Sequence, residues 1–221
     1  MAGIYLHVPF CKQDCNYCVF YFYTNQQFRT RIVDALAREL ELRLPYVSGQ
    51  AIRTIYFGGG TPSLLSTDEI AALLDTLHNY YSVDKNPEIT LEANPDDLDL
   101  VKLTQWRASG INRLSIGIQT FHNPIIAYMN RAHDAQTALT TFAEARSAGF
   151  SNISLDLIYA IPGQTDDLWL SDVRQIIALQ PEHISCYSLT IEPRTVFGNW
   201  AKQGRLKATE DEVSARQLEI L

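Results

Sequence analysis

The chain has 221 residues, the length of one sizeable domain and short for two. Hydrophobic residues make up 46% and charged residues 19%, the balance of a packed globular protein and not of a disordered one. With 18 Lys+Arg against 25 Asp+Glu the net charge is -7. That field repels nucleic acid and anionic membrane, so nucleic acid is excluded as a partner and membrane contact is at most transient.

No run approaches the roughly 18 apolar residues of a membrane span. The first ten residues lack the basic start of a signal peptide, so a cytoplasmic location is expected. Of the 4 cysteines, Cys11, Cys15 and Cys18 crowd together. In a chain without an export signal such crowding points to metal ligation or redox chemistry, not to a disulfide frame.

In chain order, strand patterns fall at 4–8, 52–57, 88–94, 113–118, 153–159 and 183–189, and helical patterns at 26–44, 67–81, 98–109, 135–148 and 166–179. Ser66-Thr-Asp-Glu69 reads as a capping box, Asp134 and Thr165 as N-caps, and Gly110 and Gly149 as helix stops. Alternating strand and helix predicts an α/β fold with a parallel sheet. Strand parity separates an apolar face (Ile4, Leu6 and Val8; Leu114, Ile116 and Ile118) from a small or polar one (Ser115, Gly117 and Gln119; Ser154 and Asp156). A sheet sandwiched between helices would read as nearly continuous apolar runs, so the pattern favours a partial (β/α)6 barrel with a polar lumen.

Residues 1–195 are expected to form this barrel. Thr209-Glu-Asp-Glu212 opens a further helix shortly before Leu221, so 196–221 reads either as the start of a C-terminal extension that continues in a longer protein or as a short docked helix.

Three soft thiolates on the loop Cys11-Lys-Gln-Asp-Cys15-Asn-Tyr-Cys18 suit an iron–sulfur cluster. Three protein ligands leave one iron of a [4Fe–4S] cluster open. The alternative is zinc held by three Cys and His7, although structural zinc sites usually pair two CxxC-like elements. Cys186 shares the parity of Ile184 and reads as core. The Gly58-Gly-Gly60-Thr-Pro62 turn permits close approach of a ligand to backbone. Glu92, Gln119 and Asp156 fall on the polar parity near strand ends, where barrels place their sites.

Together with these motifs, Leu91-Glu-Ala-Asn-Pro95, Arg113-Leu-Ser-Ile-Gly-Ile-Gln119 and Ser154-Leu-Asp-Leu-Ile-Tyr159 give a chain that resembles the radical S-adenosylmethionine (SAM) superfamily. Within it, the chain resembles the branch of oxygen-independent coproporphyrinogen dehydrogenases, and most closely the HemW-type heme chaperones. The resemblance implies a [4Fe–4S] cluster on Cys11, Cys15 and Cys18, with SAM on its open iron. It implies Tyr5 and Tyr17 bordering both, Gly59, Gly60, Thr61 and Glu92 at the methionine moiety, and Gln119, Arg131 and Asp156 completing the pocket. Without the resemblance, Arg131 reads as a solvated surface charge.

Implied partners are heme or porphyrin, a heme-acceptor protein and an electron donor. The decarboxylating enzymes carry a further Cys where this chain has Phe20, which favours the chaperone reading. The chaperones usually have Asp where this chain has Val19. The aromatic stretch Val19-Phe-Tyr-Phe-Tyr23 reads as a hydrophobic shield over the cluster, the other reading being a contact for a porphyrin face. The function expected is heme binding and delivery, with oxidative decarboxylation of coproporphyrinogen III as the alternative.

Overall fold

A computed structural model describes residues 2–221. Six parallel strands, β1 (Ala2–Val8), β2 (Ile52–Gly59), β3 (Val83–Ala93), β4 (Arg113–Gln119), β5 (Ile153–Tyr159) and β6 (His183–Ser188), pair in sequence order. No pairing among the described residues joins β1 to β6, so the curved sheet is a barrel left open along one seam. Among the described residues eight α-helices accompany them: α1 (Arg29–Arg43), α2 (Thr67–Tyr80), α3 (Leu100–Ala108), α4 (Asn123–Tyr128), α5 (Ala135–Ser147), α6 (Asp166–Leu179), α7 (Val196–Lys202) and α8 (Asp211–Ile220).

The sorting of residues between the two faces follows the two periodicities of the chain. In α2 the buried residues are Ile70, Leu73, Leu74 and Leu77, and in α6 they are Trp169, Asp172, Val173 and Ile176. Both sets repeat at i, i+3, i+4 and i+7, the stripe with which a helix covers a core. Opposite them lie Ile55 and Phe57 of β2, Leu114, Ile116 and Ile118 of β4, and Ile153, Leu155 and Leu157 of β5, all fully buried. Each such side chain contributes about 1.5–3 kcal/mol by leaving water. The other strand parity is turned into the lumen.

The helix starts are chemically encoded. Ser66 Oγ accepts from Glu69 N at 3.1 Å while Glu69 Oε2 accepts from Ser66 N at 2.8 Å. Asp134 accepts from Thr137 N, and Thr165 from Leu168 N.

Departures from the expected elements have local causes. Strand β3 begins at Val83, five residues early, and a bulge opposite Ile52 and Thr54 absorbs the stretch around Pro87, which has no N–H for the ladder. Helix α1 starts at Arg29, because Gln26 to Arg29 form a turn in which Arg29 N bonds Gln26 O. Helices α4 and α7, with 6 and 7 residues, are too short to show a 3.6-residue period.

Helix α8 docks on the barrel. Gln217, fully buried, accepts from Ala160 N at 2.8 Å, and its carbonyl accepts from Trp169 Nε1 at 2.7 Å. Among the described residues, no helix is long and apolar enough to cross a membrane.

Candidate functional site

The site is a cavity of about 490 Å³ at the C-terminal ends of the strands, where the loop after β1 folds over the turn after β2. Two glycines let these segments meet. Gly59 has φ +115°, a backbone that side chains rarely adopt, and a β-carbon at Gly60 would stand 2.6 Å from the Phe10 carbonyl oxygen. Gly60 N instead donates to Val8 O at 2.8 Å, locking the turn against the base of the cysteine loop. The loop is held from its other side by Asn16, whose N donates to Met129 O and whose Nδ2 donates to Tyr128 O at 2.8 Å.

Cys11, Cys15, Cys18, Tyr17, Gly59, Gly60, Thr61, Glu92, Gln119, Arg131 and Asp156 all line this cavity. Tyr5 is the one expected residue that does not. Its ring is 56% exposed, stacks on Tyr56 at 5.9 Å and places its hydroxyl 3.4 Å from His7 Nδ1.

All four cysteines are free thiols. Burial pushes Cys11 up to about 11 and raises Cys18 as well, so both are protonated at neutral pH and a metal must displace their protons on binding. Among the described residues, no three His, Cys, Asp or Glu side chains converge on a point that could hold a single ion. His7 does not line the cavity, which leaves the three-Cys-plus-His zinc arrangement without its fourth donor there. Cys186 packs with Ile184 against the core, as its parity predicted, and is absent from the cavity wall. A set of three soft thiols is the donor chemistry of a cluster with one iron left open.

The polar floor comes from the lumenal strand parity. Glu92 accepts from Tyr56 Oη at 2.8 Å and from Gly59 N at 3.1 Å. Asp156 accepts from Ser115 Oγ at 3.3 Å. Burial raises the pKa of both carboxyl groups, and their hydrogen bonds oppose the rise. Gln119 closes β4 with φ 72°, a left-handed backbone that costs a non-glycine residue about 1–2 kcal/mol. Such strain persists where the surroundings over-determine it, commonly at a site.

Arg131 is not the solvated charge that its sequence context suggests. Its guanidinium is turned inward, where Nη2 donates to Asn94 Oδ1 at 2.7 Å and to Gly117 O at 2.8 Å. Nη1 lies 3.6 Å from Cys15 Sγ, and Nε is buried without a partner.

Sequence reasoning passed over Asn94 and Tyr56. Asn94 was within reach of the parity argument, since it continues the Thr90–Glu92 alternation to the end of β3. Tyr56 carried no signal, because an aromatic in a strand reads as core. The aromatic stretch departs from expectation too. Phe20 is 71% exposed and Tyr21 67%, so it is not a buried shield, although Val19, Phe20 and Phe22 form part of the cavity wall.

Comparison with known proteins agrees with this geometry. The chain is 38% identical over 224 residues to the heme chaperone HemW of Bacillus subtilis, covering 100% of this chain and 59% of that protein. It is 36% identical over 199 residues to the heme chaperone HemW of Escherichia coli, covering 89% and 53% respectively. The chain thus spans little more than half the length of these relatives. Among solved structures, the coproporphyrinogen III oxidase HemN of Escherichia coli, described as a radical SAM enzyme, superposes with a TM-score of 0.86 at 28% identity, over 98% of this chain and 50% of that one. The archaeal Elp3 of Methanocaldococcus infernus shares the fold at a TM-score of 0.69. The Radical SAM superfamily model matches residues 5–176, from the first strand into α6 and through every element that lines the cavity up to that point. By that match and by the open barrel that carries it, the chain belongs to the radical SAM superfamily.

Proposed function

We propose that the chain is the barrel portion of a heme chaperone, in which Cys11, Cys15 and Cys18 hold a [4Fe–4S] cluster, the lumen above them holds SAM, and heme is bound and passed to an acceptor protein. The observation that carries the reading is the gathering of three thiols, the glycine turn and two lumenal carboxyl groups around one cavity. The cluster, when bound, supplies one-electron chemistry beside SAM. Glu92 and Asp156 are the acceptors for an ammonium group or ribose hydroxyls, and Gly59 and Gly60 let a ligand lie against backbone. Tyr17, Thr61, Gln119 and Arg131 complete the wall. In the same reading 1–195 is the radical SAM core and 196–221 opens a C-terminal extension.

The similarity to HemW proteins and Phe20 in place of the further cysteine support the chaperone over the decarboxylase. Of the imidazoles, His122 Nε2 is bonded to Leu168 O and His133 Nε2 to Ile118 O. His7 and His183 stand exposed on β1 and β6, the strands that bound the open seam, with His7 Nδ1 3.4 Å from Tyr5 Oη, and both are taken as candidate heme ligands.

The test is anaerobic. The protein is reconstituted with iron and sulfide, reduced, and given SAM and coproporphyrinogen III. No decarboxylated porphyrin is expected, and hemin titration is expected to give a saturable Soret shift that the His7→Ala/His183→Ala variant loses. Formation of decarboxylated porphyrin with 5′-deoxyadenosine overturns the chaperone reading in favour of the enzyme. An unchanged Soret shift in the double variant overturns both histidines as ligands.

A further inference from the structure

The cavity wall holds a hydrogen-bond chain whose direction is forced by chemistry. Arginine can only donate, so the Asn94 side-chain atom facing Arg131 Nη2 at 2.7 Å is the carbonyl oxygen. The Asn94 amide nitrogen therefore faces Thr61, and it donates to Thr61 Oγ1 at 3.3 Å. With its oxygen receiving that bond, the Thr61 hydroxyl is free to donate its own hydrogen to Cys11 Sγ, 3.4 Å away. At the other end of the chain Arg131 Nη1 points at Cys15 Sγ from 3.6 Å. Asn94 is thus the hub between donors to two of the three thiols.

The hub is itself anchored. Asn94 N donates to Ser63 Oγ at 3.3 Å, and Ser63 Oγ donates to Asp97 Oδ2 at 2.8 Å. Lys102 Nζ binds the carbonyls of Ser63 and Asp97 at 2.5 Å and 3.1 Å. Both segments of the wall are consequently tied to the start of α3 and cannot rotate independently.

We propose that Asn94 is a positioning residue that aims the Thr61 hydroxyl at Cys11 and the Arg131 guanidinium at Cys15, and that these two donors raise the reduction potential of the cluster the cysteines hold. A donor at a cluster sulfur draws charge from the iron–sulfur unit and favours the reduced state, which carries one more electron. Burial strengthens the Thr61 contact, because Thr61 is 4% exposed and water does not compete there. The inference rests on the reading that the three cysteines hold a cluster.

The test is an EPR-monitored redox titration of the reconstituted protein without SAM, with iron and sulfide content measured on every sample. Thr61→Val removes the hydroxyl at nearly constant shape and is expected to lower the one-electron reduction constant about tenfold, or 59 mV for a one-electron couple. Thr61→Ser keeps the hydroxyl and is expected to titrate as the parent does. Asn94→Asp replaces a donor with an acceptor, so the Thr61 hydrogen turns away from Cys11. Its added negative charge lowers the potential in any background, so the informative comparison is with Thr61→Val/Asn94→Asp. The drop caused by Asn94→Asp is expected to be larger when Thr61 is present.

An iron-replete Thr61→Val protein with the parental potential overturns the proposal. If Thr61→Val takes up no cluster, Asn94→Ala decides, since it keeps the hydroxyl but frees its rotation, and an unchanged potential there overturns the proposal equally. A parent protein that takes up no iron overturns the cluster reading itself, a failure distinct from a loaded cluster whose potential ignores both substitutions.

Discussion

At the scale of single residues, His133 shows how one buried contact dictates a protonation state. Its Nε2 lies 3.0 Å from the Ile118 carbonyl oxygen, which only accepts, so the imidazole proton sits on Nε2. Nδ1 is then a bare, buried lone pair without a partner. Protonation there would bury a second positive charge near Arg131, and burial, with Arg131 adding to it, pushes His133 down to about 4. The unfolded chain binds this proton near the ordinary value of about 6.5, so the folded state loses stability as pH falls from there towards 4. The loss attributable to His133 should reach about 3 kcal/mol below pH 4. Glu92 and Asp156, with raised values, shift the profile in the opposite sense. The check is therefore the difference between wild-type and His133→Gln denaturation free energies from pH 7 to 4. A difference that stays flat across that range refutes the assignment.

Cys15 is the second prediction at this scale. Cys15→Ser leaves two thiols at the cavity and should abolish the cluster absorbance and iron uptake. A variant that retains the full iron content would remove the cysteines from the proposed role.

At the scale of elements, helix ends offer tests of opposite sign. Ser66→Ala deletes one half of a reciprocal pair at the start of α2 and should cost about 1 kcal/mol by chemical denaturation. Gln180, exposed at the end of α6, is left-handed with φ 53° and ψ 55°. Gln180→Gly relieves a conformation costing an ordinary residue about 1–2 kcal/mol, against a smaller gain in unfolded-state entropy, and should stabilise the protein by about 0.5–1 kcal/mol. The Ser66 start was legible in the sequence, because a capping box is a local pattern within four residues. The left-handed Gln180 was not, since nothing in Leu179-Gln-Pro181 signals φ > 0 beyond the following proline. The short α4 and α7 were invisible for the same reason, being fixed by what they pack against: Phe197 of α7 lies on Tyr128 of α4 with ring centroids 4.8 Å apart.

At the scale of the whole molecule, α8 is docked on the barrel's outer layer most deeply through Gln217, with Ser214 and Arg216 bonding Ser188 and Asp166 beside it. Gln217 satisfies the buried Ala160 N–H with its side chain and Trp169 Nε1 with its carbonyl. Gln217→Ala keeps the carbonyl contact and orphans the Ala160 donor, which should cost about 1–3 kcal/mol. Urea denaturation measures it directly, and a change within error would show that the Gln217 side chain adds nothing to the docking of α8. The sequence hinted at a helix here from Thr209-Glu-Asp-Glu212, but its docking is a contact across roughly fifty residues that no local pattern carries.

The sequence by itself determined the alternation of strand and helix, the apolar stripe of each helix, the two-faced strands and therefore the open barrel with a polar lumen. These follow from periodicity, and periodicity is local. It also determined the donor chemistry, because three cysteines within one loop need no fold to be recognised. Tertiary structure alone decided which lumenal groups meet. Residue pattern alone read Arg131 as a surface charge, its place in the pocket being what the resemblance implied, and the return of the chain after α4 carries its guanidinium to Asn94, Gly117 and Cys15. Tyr5, which the resemblance puts beside the cluster and SAM, stands on the edge strand β1 stacked on Tyr56. In both cases the outcome depends on distances between segments far apart in the chain, which packing sets and residue order does not.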